Sequence, residues 1–137
     1  MLADDDPDDR ELFVEAALGY DTHIQSVANG TKLMENLHLS EILPDFVFID
    51  LNMPEKSGKE CLSEIRGHDR LKNIPVIIYS TSSNQRDIDD TFELGANMYL
   101  TKPNSFTELK SAVHTVLQLD WSNRTTTHRD QYVYARE

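Results

Sequence analysis

Asp4 and Asp5 follow Met1-Leu2-Ala3, Asp50 follows Phe46-Val47-Phe48-Ile49, Ser80 follows Val76-Ile77-Ile78-Tyr79, and Lys102 follows Met98-Tyr99-Leu100-Thr101. If these apolar runs are adjacent parallel strands, the polar side chains behind them converge at one edge of a sheet. Three carboxylates, a hydroxyl and an ammonium then share a small space. Crowded acids repel one another, so a divalent cation is their natural companion, and oxygen ligands select a hard one such as Mg²⁺. Carboxylates act as nucleophiles toward phosphoryl groups, forming aspartyl phosphates. Phosphoryl transfer asks mainly for positioning and for neutralisation of the oxygens on the moving group. An attacking Asp50 carboxylate, flanked by a metal, Lys102 and the Ser80 hydroxyl, meets both demands.

The elements that must position these residues are legible in outline. Asp6-Pro7 reads as a helix start, cap then first helical position, with Leu12, Phe13, Ala16 and Ala17 on one face and Gly19 as the stop. His23 to Val27 reads as a short strand, and Asn29-Gly30 leads into a helix carrying Leu33, Met34 and Leu37. The unbroken apolar run Phe46–Ile49 suits a parallel strand buried on both faces better than a half-exposed one. Pro54 and Gly58 mark a loop before a helix with Cys61, Leu62 and Ile65; Pro75 opens the next strand, and Ile88 and Phe92 mark a helix stopped near Gly95. Ser105 to Glu108 forms a capping box ahead of Leu109, Ala112, Val113, Val116 and Leu117 at helical spacing. Alternating strands and helices with short connections predict a parallel α/β sheet with helices on both faces, whose ligands sit at the carboxyl ends of the strands.

The totals bound the function. The chain has 137 residues, 39% hydrophobic and 27% charged, enough for one domain with one core. Residues 1–119 read as that domain and 120–137 as a polar C-terminal tail. A net charge of −11 argues against a nucleic-acid surface, which needs clustered Lys and Arg. No apolar run is long enough to span a bilayer, no leader is evident, and Cys61 is the only cysteine, which together predict a cytoplasmic protein without membrane insertion.

The blocks Ala3-Asp4-Asp5-Asp6, Ile49-Asp50-Leu51-Asn52-Met53-Pro54, Ile78-Tyr79-Ser80-Thr81 and Tyr99-Leu100-Thr101-Lys102-Pro103 resemble, in order, the signature blocks of response-regulator receiver domains, most of all stand-alone ones. Each residue alone has a plainer reading: Asp4 to Asp9 as an acidic helix start, Lys102 as a surface charge, Tyr99 as core. Their joint register raises them above it. The resemblance implies a five-stranded, flavodoxin-like sheet of order 2-1-3-4-5. It implies a non-enzymatic phosphoacceptor at Asp50, charged by a sensor histidine kinase or a histidine phosphotransfer protein. Asp4, Asp5, Asp50 and the Asn52 backbone carbonyl would hold Mg²⁺, and Ser80 and Lys102 would bind phosphoryl oxygens. Ser80 and Tyr99 would form the switch pair, and Lys102-Pro103 would be a cis peptide. The output face for an unnamed downstream protein would lie on the fourth helix, the last strand and the last helix.

The sequence departs from that pattern in two places. Thr81 stands where the family usually has Ala or Gly, and Asn52 and Ser82 occupy positions that tune access and phosphoryl lifetime. Only Met1-Leu2-Ala3 precede the acidic pair, where receivers carry a full central strand. Either the start is truncated or misassigned, or another segment fills the slot. Tyr132-Val133-Tyr134-Ala135 has strand composition, which predicts that the tail supplements the first strand, within its chain or exchanged in a homodimer. Two other functions compete: a phosphorylation-independent receiver-like binding module, and an aspartate-nucleophile phosphatase of the haloacid dehalogenase type. The latter wants a second Asp two residues after the nucleophile, where this chain has Asn52.

Overall fold

The computed structural model describes residues 1–20, 22–119, 121 and 129–134. Strands and helices alternate: β1 (Leu2–Ala3), α1 (Pro7–Ala16), β2 (Ser26–Val27), α2 (Gly30–Leu39), β3 (Val47–Ile49), α3 (Gly58–Gly67), β4 (Val76–Ser80), α4 (Gln85–Glu93), β5 (Met98–Thr101) and α5 (Phe106–Gln118). The strands form one parallel sheet of order β2-β1-β3-β4-β5, the predicted doubly wound arrangement.

The sheet separates two apolar clusters. One packs α2, α3 and α4 against Ala3, Ile49, Ile78 and Tyr99; the other packs α1 and α5 against Leu2, Phe48, Ile77 and Leu100. Adjacent residues of β1, β3 and β4 therefore belong to opposite clusters, as period-two side chains in a doubly covered sheet must. Helix starts are capped as the sequence predicts: Asp6 accepts from the amides of Asp8 and Asp9, and Ser105 accepts from Glu108. Leu12, expected on the inner face of α1, is exposed instead. β2 is shorter than the expected strand because its neighbour β1 offers only two pairing residues. Among the described residues, no helix is long and apolar enough to cross a membrane.

The brevity of β1 leaves no unpaired gap. Leu2 donates to the Gln25 carbonyl at 2.8 Å and Asp4 to that of Val27 at 3.1 Å on one side. On the other side, Phe48 and Asp50 donate to Met1 and Ala3, each at 2.9 Å, and the Met1 ammonium donates to the Phe46 carbonyl at 3.0 Å.

Within the chain the tail does not supplement β1. Val133 instead forms a parallel bridge with Tyr99 of β5. Tyr99 donates to the Tyr132 carbonyl at 2.9 Å, and Tyr134 donates to the Tyr99 carbonyl at 2.8 Å. β1 is flanked on both sides and has no free edge, whereas β5 is one of the two edge strands and presents open donors and acceptors. Ala135, the last residue of the predicted tail strand, lies outside the described residues.

Candidate functional site

The carboxyl ends of β1, β3, β4 and β5 deliver Asp4, Asp50, Ser80 and Lys102 to one edge of the sheet, and Asp5 follows on the loop into α1. One carboxylate oxygen from each of Asp4, Asp5 and Asp50 lies within 4.8 Å of the others. Asp4 is fully buried, Asp50 nearly so, and Asp5 is exposed, which leaves the group open on one side. Asp4 Oδ1 accepts the Asp6 amide at 3.0 Å, and Arg10 Nη1 donates to the Asp4 carbonyl at 2.7 Å, anchoring the strand end.

Lys102 is the cation of this group. Its Nζ donates to Asp9 Oδ2 at 2.9 Å and to Asp50 Oδ2 at 3.2 Å, and it lies 2.8 Å from Asp4 Oδ2 with only 9% of its side chain exposed. It also stands 5.2 Å above the centre of the Tyr79 ring. Burial works to lower the Lys102 pKa, but the close carboxylates of Asp4 and Asp9 outweigh it and hold the ammonium well above its usual value. Asp4 shows the reverse balance: burial pushes its carboxyl up to about 6 against the pull of Lys102. Asp4 Oδ2 meets the ammonium at ion-pair distance but has no aligned hydrogen-bond donor. A buried carboxylate oxygen met only by an ammonium shared with other acids, beside two further carboxylates, is the environment a hard cation relieves. The residues present thus fit a divalent metal.

The loops carry the rest. Asp50 Oδ1 accepts the Asn52 amide at 3.2 Å, and Asn52 itself is exposed. Gly58 opens α3 directly beneath Asp50; a Cβ there would sit 2.5 Å from the Asp50 carbonyl oxygen. Ser80 is buried, and its Oγ accepts the Ser82 amide at 3.1 Å. Thr81 is exposed beside it, and Ser82 Oγ donates to Asp87 Oδ2 at 2.7 Å, with Asp87 in turn paired to Lys59 at 2.8 Å. Tyr99 is fully buried with its ring turned inward, and its hydroxyl donates to the Ser82 carbonyl at 2.7 Å.

The expected cis bond before Pro103 is not found: no cis peptide occurs among the described residues, and Lys102–Pro103 is trans. Trans is the lower-energy isomer of an X–Pro bond by about 0.5–1 kcal/mol. Here the Lys102 amide, donating to the Ser80 carbonyl at 2.7 Å, already fixes the strand end that aims Nζ into the site. Asp9 and Arg10 were not singled out from the sequence. Their acidic and basic character near a helix start is ordinary, and only the α1 packing angle turns them onto Lys102 and Asp4.

The family described as the response regulator receiver domain matches residues 1–114. The chain is 35% identical over 133 residues to the probable cyclic di-GMP phosphodiesterase of Vibrio cholerae, covering 97% of this chain and 30% of that protein. It thus spans under a third of that relative's length. Among solved structures, the phosphorylated cyanobacterial phytochrome response regulator RcpA superposes with a TM-score of 0.82 at 32% identity, over 91% of this chain and 94% of that one. The Mn²⁺-bound form of response regulator Rcp1 gives 0.77 at 29%, over 93% and 96%. This chain belongs to the response-regulator receiver family of two-component systems. Receiver domains are signalling modules that interact with histidine kinases and downstream targets and are not, as a class, enzymes. The phosphatase alternative finds no support in this membership.

Proposed function

We propose that Asp50 accepts a phosphoryl group from a histidine kinase or a histidine phosphotransfer protein, and that residues 1–119 carry this reaction. The observation that carries the reading is the Lys102 ammonium, 3.2 Å from Asp50 Oδ2 and 2.8 Å from Asp4 Oδ2, at the meeting point of the strand ends. A carboxylate oxygen of Asp50 attacks phosphorus. The new P–O bond forms as the P–N bond of the donor phosphohistidine breaks, and the electron pair leaves on the imidazole nitrogen. Lys102, held in place by burial before the reaction, and the Ser80 hydroxyl, drawn in as the group arrives, bind the phosphoryl oxygens. Asp4, Asp5, Asp50 and the Asn52 carbonyl would hold Mg²⁺, which supplies charge neutralisation for the transferring group. The Mn²⁺ in the related Rcp1 structure supports a divalent ion here.

Thr81, Ser82 and Asn52 line the approach and tune access and lifetime. Ser80 drawn toward a phosphoryl group would drag the Ser82 amide now bonded to its Oγ, and with it the carbonyl that holds Tyr99. This links Asp50 to α4 and β5, the face that a downstream protein would read. The test is intact mass after incubation with acetyl phosphate and Mg²⁺. One phosphoryl adduct is expected on the native chain and none on Asp50→Asn or with chelator. Equal labelling of Asp50→Asn would sink the assignment.

A further inference from the structure

Asp9 is the carboxylate of this site that the proposed chemistry leaves without a task. It lies outside the group of Asp4, Asp5 and Asp50 whose oxygens gather within 4.8 Å. Yet its Oδ2 sits 2.9 Å from Lys102 Nζ, closer than Asp50 at 3.2 Å and nearly as close as Asp4 at 2.8 Å, across 93 positions of sequence. The local helix explains how it gets there. Asp6 caps α1, Pro7 holds the first position, and Asp8 is exposed. Side chains in a helix lean back toward its N-terminus, so Asp9 in the first turn hangs over the loop that carries Asp4 and Asp5. An acid at this position ordinarily does no more than favour the helix dipole, worth about 0.3–1 kcal/mol. That role does not require it to bond an ammonium that is itself 9% exposed and already shared by two other carboxylates.

We propose that Asp9 is a positioning residue that competes with an incoming phosphoryl group for Lys102, and so sets how readily Asp50 is phosphorylated. The inference rests on Asp50 as phosphoacceptor. In the resting site Lys102 is surrounded by Asp4, Asp9 and Asp50. A metal would draw on the Asp4 and Asp50 carboxylates, and phosphorylation moves the Asp50 charge onto the phosphoryl oxygens. Asp9 belongs to neither change and stays on the ammonium. Its charge, about 3 Å from Nζ, cancels much of the field that a phosphodonor anion would feel, and in a partly buried site that effect is several times larger than in water. Asp9 also keeps Nζ on the α1 side of the cleft, above the Tyr79 ring.

The test compares second-order rate constants for phosphorylation by acetyl phosphate at saturating Mg²⁺ in the native chain, Asp9→Asn, Asp9→Glu and Asp8→Asn. Asp8→Asn changes net charge and the helix dipole as Asp9→Asn does, but Asp8 makes no bond to Lys102 and serves as the control. Asp9→Asn should be phosphorylated about 3–10-fold faster at low ionic strength, with the gap narrowing at high salt as the charge is screened. Asp9→Glu should stay near the native rate, as should Asp8→Asn, and all four chains should melt within a few degrees of one another. Equal or slower phosphorylation of Asp9→Asn overturns the proposal, as does equal acceleration in Asp8→Asn. An adduct on none of the four chains sinks the phosphoacceptor reading and this inference with it. An adduct on all four at one rate sinks this inference alone.

Discussion

Tyr132 packs against Tyr99 with ring centroids 6.2 Å apart, while the backbone on either side of Val133 bonds both the amide and the carbonyl of Tyr99. The C-terminal segment thus grips the residue proposed as the aromatic half of the switch. Tyr132 is fully buried, its hydroxyl donates to Thr91 Oγ1 at 2.6 Å, and its ring meets Phe92 at 5.2 Å. Arg129 pairs with Asp89 at 2.5 Å, so the segment spans from β5 to α4 across the face a downstream protein would approach. With Tyr132 seated, Tyr99 is held inward.

Tyr132→Ala should therefore be costly. Deleting a buried aromatic ring removes about 3–5 kcal/mol, whereas Tyr132→Phe, which loses only the bond to Thr91, should remove about 1 kcal/mol. Urea unfolding gives both numbers, and hydrogen exchange checks the seat: removing residues 129–137 should expose the Tyr99 amide, now bonded to the Tyr132 carbonyl. A Tyr132→Ala cost below 1 kcal/mol with unchanged Tyr99 exchange would mean that the segment does not dock on β5 in solution.

Gly58→Ala sets two effects against each other. Alanine is the better helix former by about 1 kcal/mol. Its Cβ, however, would lie 2.5 Å from the Asp50 carbonyl oxygen and 2.7 Å from Leu51 Cα, both backbone atoms with little room to give. Overpacking of this kind costs about 1–3 kcal/mol, so the steric term wins. The substitution should lower the melting temperature and slow phosphorylation together, because the strained strand end is the one bearing Asp50. A stabilised variant with native phosphorylation would show that the loop yields freely.

These particulars show what could be read before the fold was seen. Asp4, Asp50, Ser80 and Lys102 each stand one residue beyond an apolar run, and parallel strands in register leave such residues nowhere to go but the same edge. Asp9 was hidden because a helical side chain's target depends on the helix axis, which no local pattern encodes. The tail's strand character was legible in Tyr132-Val133-Tyr134. Which edge it would choose was not, since β2 and β5 both end the sheet and the packing of Tyr132 against Phe92 and Tyr99 is what favours β5. The cis bond at Pro103 was expected from the family alone, and the local chain here closes without it.

Cys61 should be inert to thiol reagents, by the same burial that places it in the core. It is fully buried on α3, its Sγ 3.6 Å from the Gly30 carbonyl, and burial pushes its thiol up to about 11. At pH 8 only about one molecule in a thousand would carry the thiolate that reacts. Iodoacetamide should leave the native chain unmodified for hours and label it promptly in urea. The sign of the linkage follows. The native thiol holds its proton more tightly than the unfolded one, so its contribution is intact below pH 9 and is lost as pH rises toward 11. Cys61→Ala should flatten that part of the stability profile, and an unchanged profile would assign the alkaline loss to other groups.

The acidic group gives the last prediction. Asp4, Asp5 and Asp50 crowd their oxygens within 4.8 Å, and Lys102 offsets only part of that charge. A divalent ion that binds the folded chain and not the unfolded one must stabilise it by mass action, by about 2.7 kcal/mol at a hundredfold excess over Kd. Millimolar Mg²⁺ should therefore raise the melting temperature of the native chain, and chelator should reverse the rise. Asp5→Asn should abolish the shift while leaving the metal-free melting temperature nearly unchanged, because Asp5 is exposed. Asp50→Asn should weaken the shift as well, and Ca²⁺ at equal concentration should give a smaller one, since it favours more ligands than three carboxylates and a carbonyl provide. An equal Mg²⁺ shift in Asp5→Asn and Asp50→Asn would place the ion elsewhere on this acidic surface.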